Sequence, residues 1–415
     1  MHAFKSSVIV TAIALAGAAA VAQQAPPAQP QGQQQGQGQG RGGRGGGRGI
    51  QVEPGNCPAG TTETRPGRCQ APEFPPPSIL DYKPRSTLVA KETLVPKAKY
   101  PVIDSHSHTG PTAETIEQLI KEMDAMGVRT LVNLSGGNAA AVKQKIDFIR
   151  GSKYPDRFAV FANVNWDGAG GPGWAENAVA DLEAAVKNGA IGLKIAKNLG
   201  LRAKKHDGTR LKVDDPVLKP VWDLCARLNI PVIIHSAEPK EFFSPLDYNN
   251  EKWLELALFP DRRNYMPGQP TFDEVQGERD RMFEANPKTR YIGAHFAYYG
   301  HNLPGAAKLL DRLPNVVLEV SAVLYEFGRQ PRAAREFFIK YQDRILFGKD
   351  SYAASEFPYY WRVFETNDEY FDYYRPYHAF WKLYGMDLPD EVLKKVYYKN
   401  ALRVAPGLSK AGFPQ

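Results

Sequence analysis

From residue 98 onward, short apolar runs alternate with stretches of helical periodicity, eight times over. The runs are Val102 to His108, Arg129 to Leu134, Arg157 to Val164, Ala190 to Ile195, Pro231 to His235, Tyr291 to His295, Val316 to Val320 and Arg344 to Phe347. Between the first two, Ile116, Leu119, Ile120 and Met123 recur at helical spacing and Gly127 closes the helix. Similar patterns run over Ala139–Ile149, around Val179, Leu182 and Val186, and over Pro216–Leu228, Phe272–Glu284, Gly305–Leu313 and Ala333–Tyr341. Eight such repeats over this length predict an α/β fold, a (β/α)8 TIM-type barrel with a C-terminal helical extension. An open doubly wound sheet fits less well. No Gly-x-Gly-x-x-Gly follows the first run, and the chemistry-bearing residues are spread over many strand ends.

Those strand ends share a character. The first run enters Asp104-Ser105-His106-Ser107-His108, and the period of two on a strand puts Asp104, His106 and His108 on one face. Two imidazoles so placed can reach one metal ion. The fourth run ends in Lys194, the fifth in His235, the sixth in His295, and the eighth leads to Lys349 and Asp350. A lone histidine in an apolar run is usually a core residue. Here four of the protein's 8 histidines fall at strand ends, beside an aspartate and a lysine, and barrel enzymes gather their sites at that rim.

With these residues the chain resembles the amidohydrolase superfamily, in its amidohydrolase-related ("amidohydrolase 2") branch of metal-dependent hydrolases and decarboxylases. The resemblance rests on His106/His108, His235, His295 and Asp350, with Leu388-Pro389-Asp390-Glu391-Val392-Leu393 and Asn400-Ala401-Leu402-Arg403 similar to the closing helix of that branch, and it covers about residues 98–405. It implies a divalent metal held by His106, His108, His235 and Asp350, with His295 as an acid/base or substrate-polarising group. Lys194 stands where binuclear relatives carry a carboxylated bridging lysine, and a single ion is the preferred expectation. Imidazole and carboxylate donors suit Zn²⁺ or Mn²⁺, whose open position lowers the pKa of bound water, and Asp350 can take that water's proton. Lys349, beside Asp350, is expected on the outer face.

The ends of the chain frame this barrel. Lys5, the apolar run Val8 to Val21 and Ala20-Val21-Ala22 read as an export signal over residues 1–22, cleaved rather than retained as a membrane span, so the protein is expected to be periplasmic or extracellular. Residues 23–50 form a Gln/Gly/Pro/Arg low-complexity linker, an expected disordered tail, and residues 51–97 a Pro-rich irregular segment before the barrel at 98–415. The formal charge is +7, and without Lys5, Arg41, Arg44 and Arg48 it falls to +3. The basic balance is therefore partly a tail property and only weak evidence for a nucleic-acid or membrane partner, so no nucleic-acid partner is expected. In an oxidising compartment Cys57 and Cys69 pair, while Cys225, inside a helical pattern, stays a buried thiol.

The partner is a small-molecule substrate, and a homo-oligomer is compatible with the sequence. The long segment Glu238–Gly268 would overhang the barrel mouth, and Arg329 or Arg332 could hold a substrate carboxylate in a bidentate pair. Arg335 fits a solvated helix face better, and the aromatic residues of 352–384 are expected mostly to pack the domain, with a few lining a pocket. The leading functional expectation is an exported metal-dependent hydrolase of an amide, ester or lactone. The alternatives are non-oxidative decarboxylation of an aromatic or unsaturated acid, and a non-catalytic envelope binding protein.

Overall fold

The computed structural model describes residues 49–75, 78–378 and 381–414. The expected export signal, and all but the last two residues of the linker, lie outside the described residues. Two compact units meet in the chain at residues 76 and 77. In the first, Ile50–Gln51, Thr62–Arg65 and Arg68–Gln70 form an antiparallel sheet with Arg68–Gln70 in the centre, so this stretch is not wholly irregular as its prolines suggest. The Cys57–Cys69 disulfide ties the loop to the central strand, and Glu63 accepts hydrogen bonds from the backbone of Gly55 and Gly67.

The second unit carries the barrel. Its strands are β1 (Val102–Ser107), β2 (Val128–Asn133), β3 (Phe158–Val160, continued by Ala162–Asn163), β4 (Leu193–Ile195), β5 (Val232–Ile234), β6 (Tyr291–Gly293), β7 (Val316–Glu319) and β8 (Ile345–Leu346). All neighbouring pairs are parallel and follow chain order, in two sheets that share the interrupted third strand. The ring closes between β8 and β1: Ser105 N donates to Phe347 O at 3.1 Å, Asp350 N to His106 O at 2.6 Å, and Ser107 bridges Asp350 in parallel register. Among the described residues each barrel strand is paired on both sides, which satisfies the backbone of these short, mostly buried strands.

The helices follow from their apolar spacing and their caps. The first, α1 (Ile116–Met126), buries Ile116, Leu119, Ile120 and Met123 on one stripe, and Gly127 ends it in the left-handed region at φ 83°. A later one, α2 (Phe272–Ala285), starts on a reciprocal capping box between Thr271 and Glu274. After β8 the chain forms Phe357–Glu365 and closes with Asp390–Lys394 and Asn400–Val404, the expected C-terminal extension. Tyr360, Trp361 and Tyr397 are fully buried there and pack on Phe347. Cys225 is the expected buried free thiol. Among the described residues no helix is long and apolar enough to cross a membrane.

Candidate metal centre

Polar side chains from β1, β4, β6, β7 and β8 converge at the C-terminal end of the barrel. His106, His295 and Asp350 each offer a donor atom, and these three atoms lie within 4.8 Å of one another. Asp350 Oδ1 is 3.5 Å from Nε2 of both His106 and His108. His108 sits at the rim, its ring held through Nδ1 by Ser135 Oγ at 2.8 Å. His235 reaches the group through His295, Nδ1 to Nε2 at 3.0 Å. Lys194 Nζ is 3.0 Å from His106 Nε2 and is buried. Asp104 has a different part: its carboxylate accepts from the backbone of His106 and Lys349, pinning β1 to β8. Burial raises Asp104 to about 8, so it is held protonated at neutral pH.

The ring that matters most is oriented from behind. Glu319, the last residue of β7 and fully buried, accepts from His106 Nδ1 at 2.8 Å, from the backbone N of His295 and Ser321, and from Ser321 Oγ. With Nδ1 donating to the carboxylate, His106 turns its Nε2 lone pair towards Asp350. Gly348 makes this approach possible, since a Cβ there would lie 2.2 Å from Glu319 Oε2 and 2.9 Å from His106 Cβ.

A second chain of hydrogen bonds runs outward. His295 Nδ1 donates to the carbonyl of Ser321 at 2.9 Å, which leaves the Nε2 lone pair free for a ligand, 3.0 Å from His235 Nδ1. His235 Nε2 then accepts from the Tyr298 hydroxyl at 2.8 Å, and Glu238 lies 3.1 Å beyond that hydroxyl. His295 and Tyr298 belong to four consecutive residues with φ between 50° and 57°, a left-handed turn built without glycine. Ala237, Ala322 and Asp350 also have positive φ, so backbone strain collects at this rim.

The electrostatics suit metal ligation. Burial, reinforced by Lys194, pushes His106 well below its ordinary value and lowers His108; burial and His235 take His295 down to about 4, and burial also lowers His235. All four imidazoles are neutral near pH 7. Burial opposes ionisation of Asp350, but His106, His295 and His235 outweigh it and hold the carboxyl well below the usual range. Burial brings Lys194 down to about 8. Neutral imidazoles, fixed at one nitrogen by a carboxylate in His106, a carbonyl in His295 and a hydroxyl in His108, around an ionised aspartate, form a donor set that fits a divalent cation.

An open cavity of about 530 Å³ lies over the centre and exposes His235, His295, Tyr298 and Asp350. The segment from Glu238 to Arg262 forms one wall, as its length suggests, and Tyr374, Arg375 and Tyr377 part of another. One expectation needs correction. Arg329 and Arg332 border a separate hollow with Arg335, and Arg329 is committed to Glu251 and Glu326 while stacking on Trp381 at 3.9 Å. Lys349 is fully buried and paired with Glu356. Sequence reasoning also missed Glu319, Ser321, Tyr298 and Arg375. Glu319 carried a usable signal, an acid at the end of an apolar run, whereas the other three carried none.

The sequence model described as Amidohydrolase matches residues 103–405, and the chain belongs to that family, as an enzyme of the amidohydrolase superfamily. No curated protein sequence matches it significantly. Similar solved structures include 2,6-dihydroxybenzoate decarboxylase from Rhizobium, at 16% identity, TM-score 0.45, over 74% of this chain and 99% of that one. They also include 4-oxalomesaconate hydratase from Rhodopseudomonas palustris (15%, 0.43, 74% and 96%) and 5-carboxyvanillate decarboxylase from Sphingomonas paucimobilis (14%, 0.43, 74% and 99%).

Proposed function

We propose that the protein is an exported, metal-dependent hydrolase that opens an amide, ester or lactone bond in a small molecule. The observation that carries this reading is the ionised Asp350 carboxylate, 3.5 Å from Nε2 of both His106 and His108 and open to the cavity. A divalent ion held by His106, His295 and Asp350, with His108 alongside, would polarise the scissile carbonyl and lower the pKa of water. Asp350 accepts a proton from the attacking water. Tyr298, whose hydroxyl is pushed well above its ordinary value by burial and then by Glu238, stays protonated beside His235 Nε2 and Glu238, where it can donate to either. Export is part of the proposal; residues 1–22 motivate it, and the Cys57–Cys69 disulfide supports an oxidising compartment.

Decarboxylation is the second reading, favoured by one observation: Arg375 lines the same cavity without an acidic partner among the described residues. The two are separated by offering metal-replete protein simple esters and lactones beside carboxylated phenols. Ester or lactone cleavage lost in Asp350→Asn is the expected result. Carbon dioxide released from the acids with no ester or lactone cleaved would overturn the hydrolase reading. Elemental analysis is expected to find about one divalent ion per chain, and none would sink both readings. Two would favour Lys194 as a carboxylated bridge.

A further inference from the structure

A second hollow, of about 430 Å³, shares a wall with the metal cavity, since Arg375 and His378 line both. A strap running from Ile79 to Ser86 forms one side of it, and Tyr370, Tyr373, Pro376 and Trp381 much of the other. The start of the strap is a turn fixed by its own hydrogen bonds, Tyr82 N to Ser78 O at 3.0 Å and Leu80 N to Ser78 Oγ at 3.2 Å. Further along, Asp368 holds Thr93 at 2.6 and 2.7 Å and also accepts from Arg362. Opposite the strap, Phe371–Asp372 and Lys382–Leu383 pair as an antiparallel ribbon. The family match begins at residue 103, so the strap side of the hollow is built by residues outside it.

Two features meet in this concavity. Ile79, Leu80, Tyr82 and Tyr370 are large side chains left 38–51% exposed, and all four line it. Apolar surface gathered in one exposed concave patch marks a place where something binds. The charge is lopsided as well. Lys382 is paired with Asp372, the one acid in the lining. Lys83 and Arg85 are exposed and have no ion pair among the described residues. Aromatic and aliphatic surface beside unpaired cations matches an anion carried on a flat ring: the ring covers the exposed side chains, and the ammonium and guanidinium meet the charge. The volume falls within the roughly 300–1,000 Å³ of small-molecule sites.

We propose that this hollow is a second ligand site, separate from the metal centre, for a small aromatic anion that lies against Leu80, Tyr82 and Tyr370 with its charge towards Lys83 and Arg85. The site goes beyond the functional reading above and does not depend on which bond the metal centre acts on.

Naphthalenesulfonate and its neutral counterpart naphthalenesulfonamide are titrated calorimetrically into the metal-free full-length protein. Wild type is expected to bind the sulfonate stoichiometrically, with an affinity that falls as sodium chloride is raised, and to bind the sulfonamide more weakly. Lys83→Gln combined with Arg85→Gln, both at exposed positions, should weaken the sulfonate about fivefold and keep the wild-type melting temperature. Leu80→Ser should weaken both compounds, and Asp350→Asn should bind the sulfonate as wild type does. A measurement on unaltered protein covers the case in which the double variant does not fold: the sulfonate should protect Lys83 from acetylation, read by peptide mass. No binding, equal binding by the double variant, equal binding of the two compounds, loss of binding in Asp350→Asn, or an unprotected Lys83 would each overturn the second site. The metal-centre reading stands on metal analysis and ester cleavage, neither of which enters here.

Discussion

Arg279 Nη1, on α2, donates to the carbonyl oxygen of Ala297 at 2.6 Å, inside the left-handed turn that follows β6. Gln276 Nε2 donates to the same oxygen at 3.0 Å, and Arg279 is fully buried with Asp280 as its counter-ion. Four non-glycine residues at positive φ are each held at a cost of about 1–2 kcal/mol, so the surroundings must over-determine the turn. These buried donors help to do so, and the turn in consequence sets His295 against Ser321 and Tyr298 against His235.

Replacing Arg279 with Met should therefore act at a distance. Loss of the buried charge-assisted bonds is expected to lower unfolding free energy by about 2–4 kcal/mol, read by urea denaturation. It should also lower affinity for a divalent ion in whatever fraction stays folded. A variant with wild-type stability would show that the turn holds itself.

Glu319 orients His106 and has no access to the cavity. Glu319→Gln should keep the fold but weaken divalent-ion affinity about 10- to 100-fold, measured by competition with a chromogenic chelator. Unchanged affinity would mean that the imidazole needs no carboxylate behind it.

His378 makes stability depend on acid. Burial first, and then Lys252 and Arg375, lower it to about 4, against the opposing pull of Glu255. Glu255 lies at 3.2 Å and Lys252 at 3.3 Å, with the rings of Tyr325, Tyr373, Tyr377 and Trp381 packed around. A base lowered from 6.5 on folding binds its proton more readily in the unfolded chain. Stability is thus lost as pH falls from about 6.5 towards 4, by about 2–3 kcal/mol for this group. His106, His235 and His295 add terms of the same sign. The measurement is the difference between wild type and His378→Gln: the variant's melting temperature should fall less between pH 7 and 4.5, and parallel curves would refute the assignment.

The Cys57–Cys69 loop is closed over a sequence separation of 12. Chain entropy gives the cross-link about 3 kcal/mol, acting on the small sheet of residues 50–70. Thiol labelling of unfolded, non-reduced protein should report one cysteine, Cys225, and three after reduction; three before reduction would exclude the bond.

The alternation of runs and helices was legible because burial on both faces makes each barrel strand a continuous apolar stretch, and a polar residue at its end stands out. That is how His106, Lys194, His235, His295 and Asp350 could be found in the sequence alone, and why Glu319 could have been. Which imidazole meets which partner was not legible. His106 and Glu319 are 213 residues apart, and only closure of the ring between β8 and β1 brings their strand ends together. The arginines show the same limit more sharply. Arg329 and Arg375 are alike in sequence, but Glu251 reaches Arg329 from 78 residues away, while the chain after β8 folds Arg375 into the cavity wall, where no carboxylate among the described residues comes within ion-pair distance of it. An apolar run is a local property and the sequence determines it; whether a charge is neutralised depends on contacts between distant segments, and only the tertiary structure decides it.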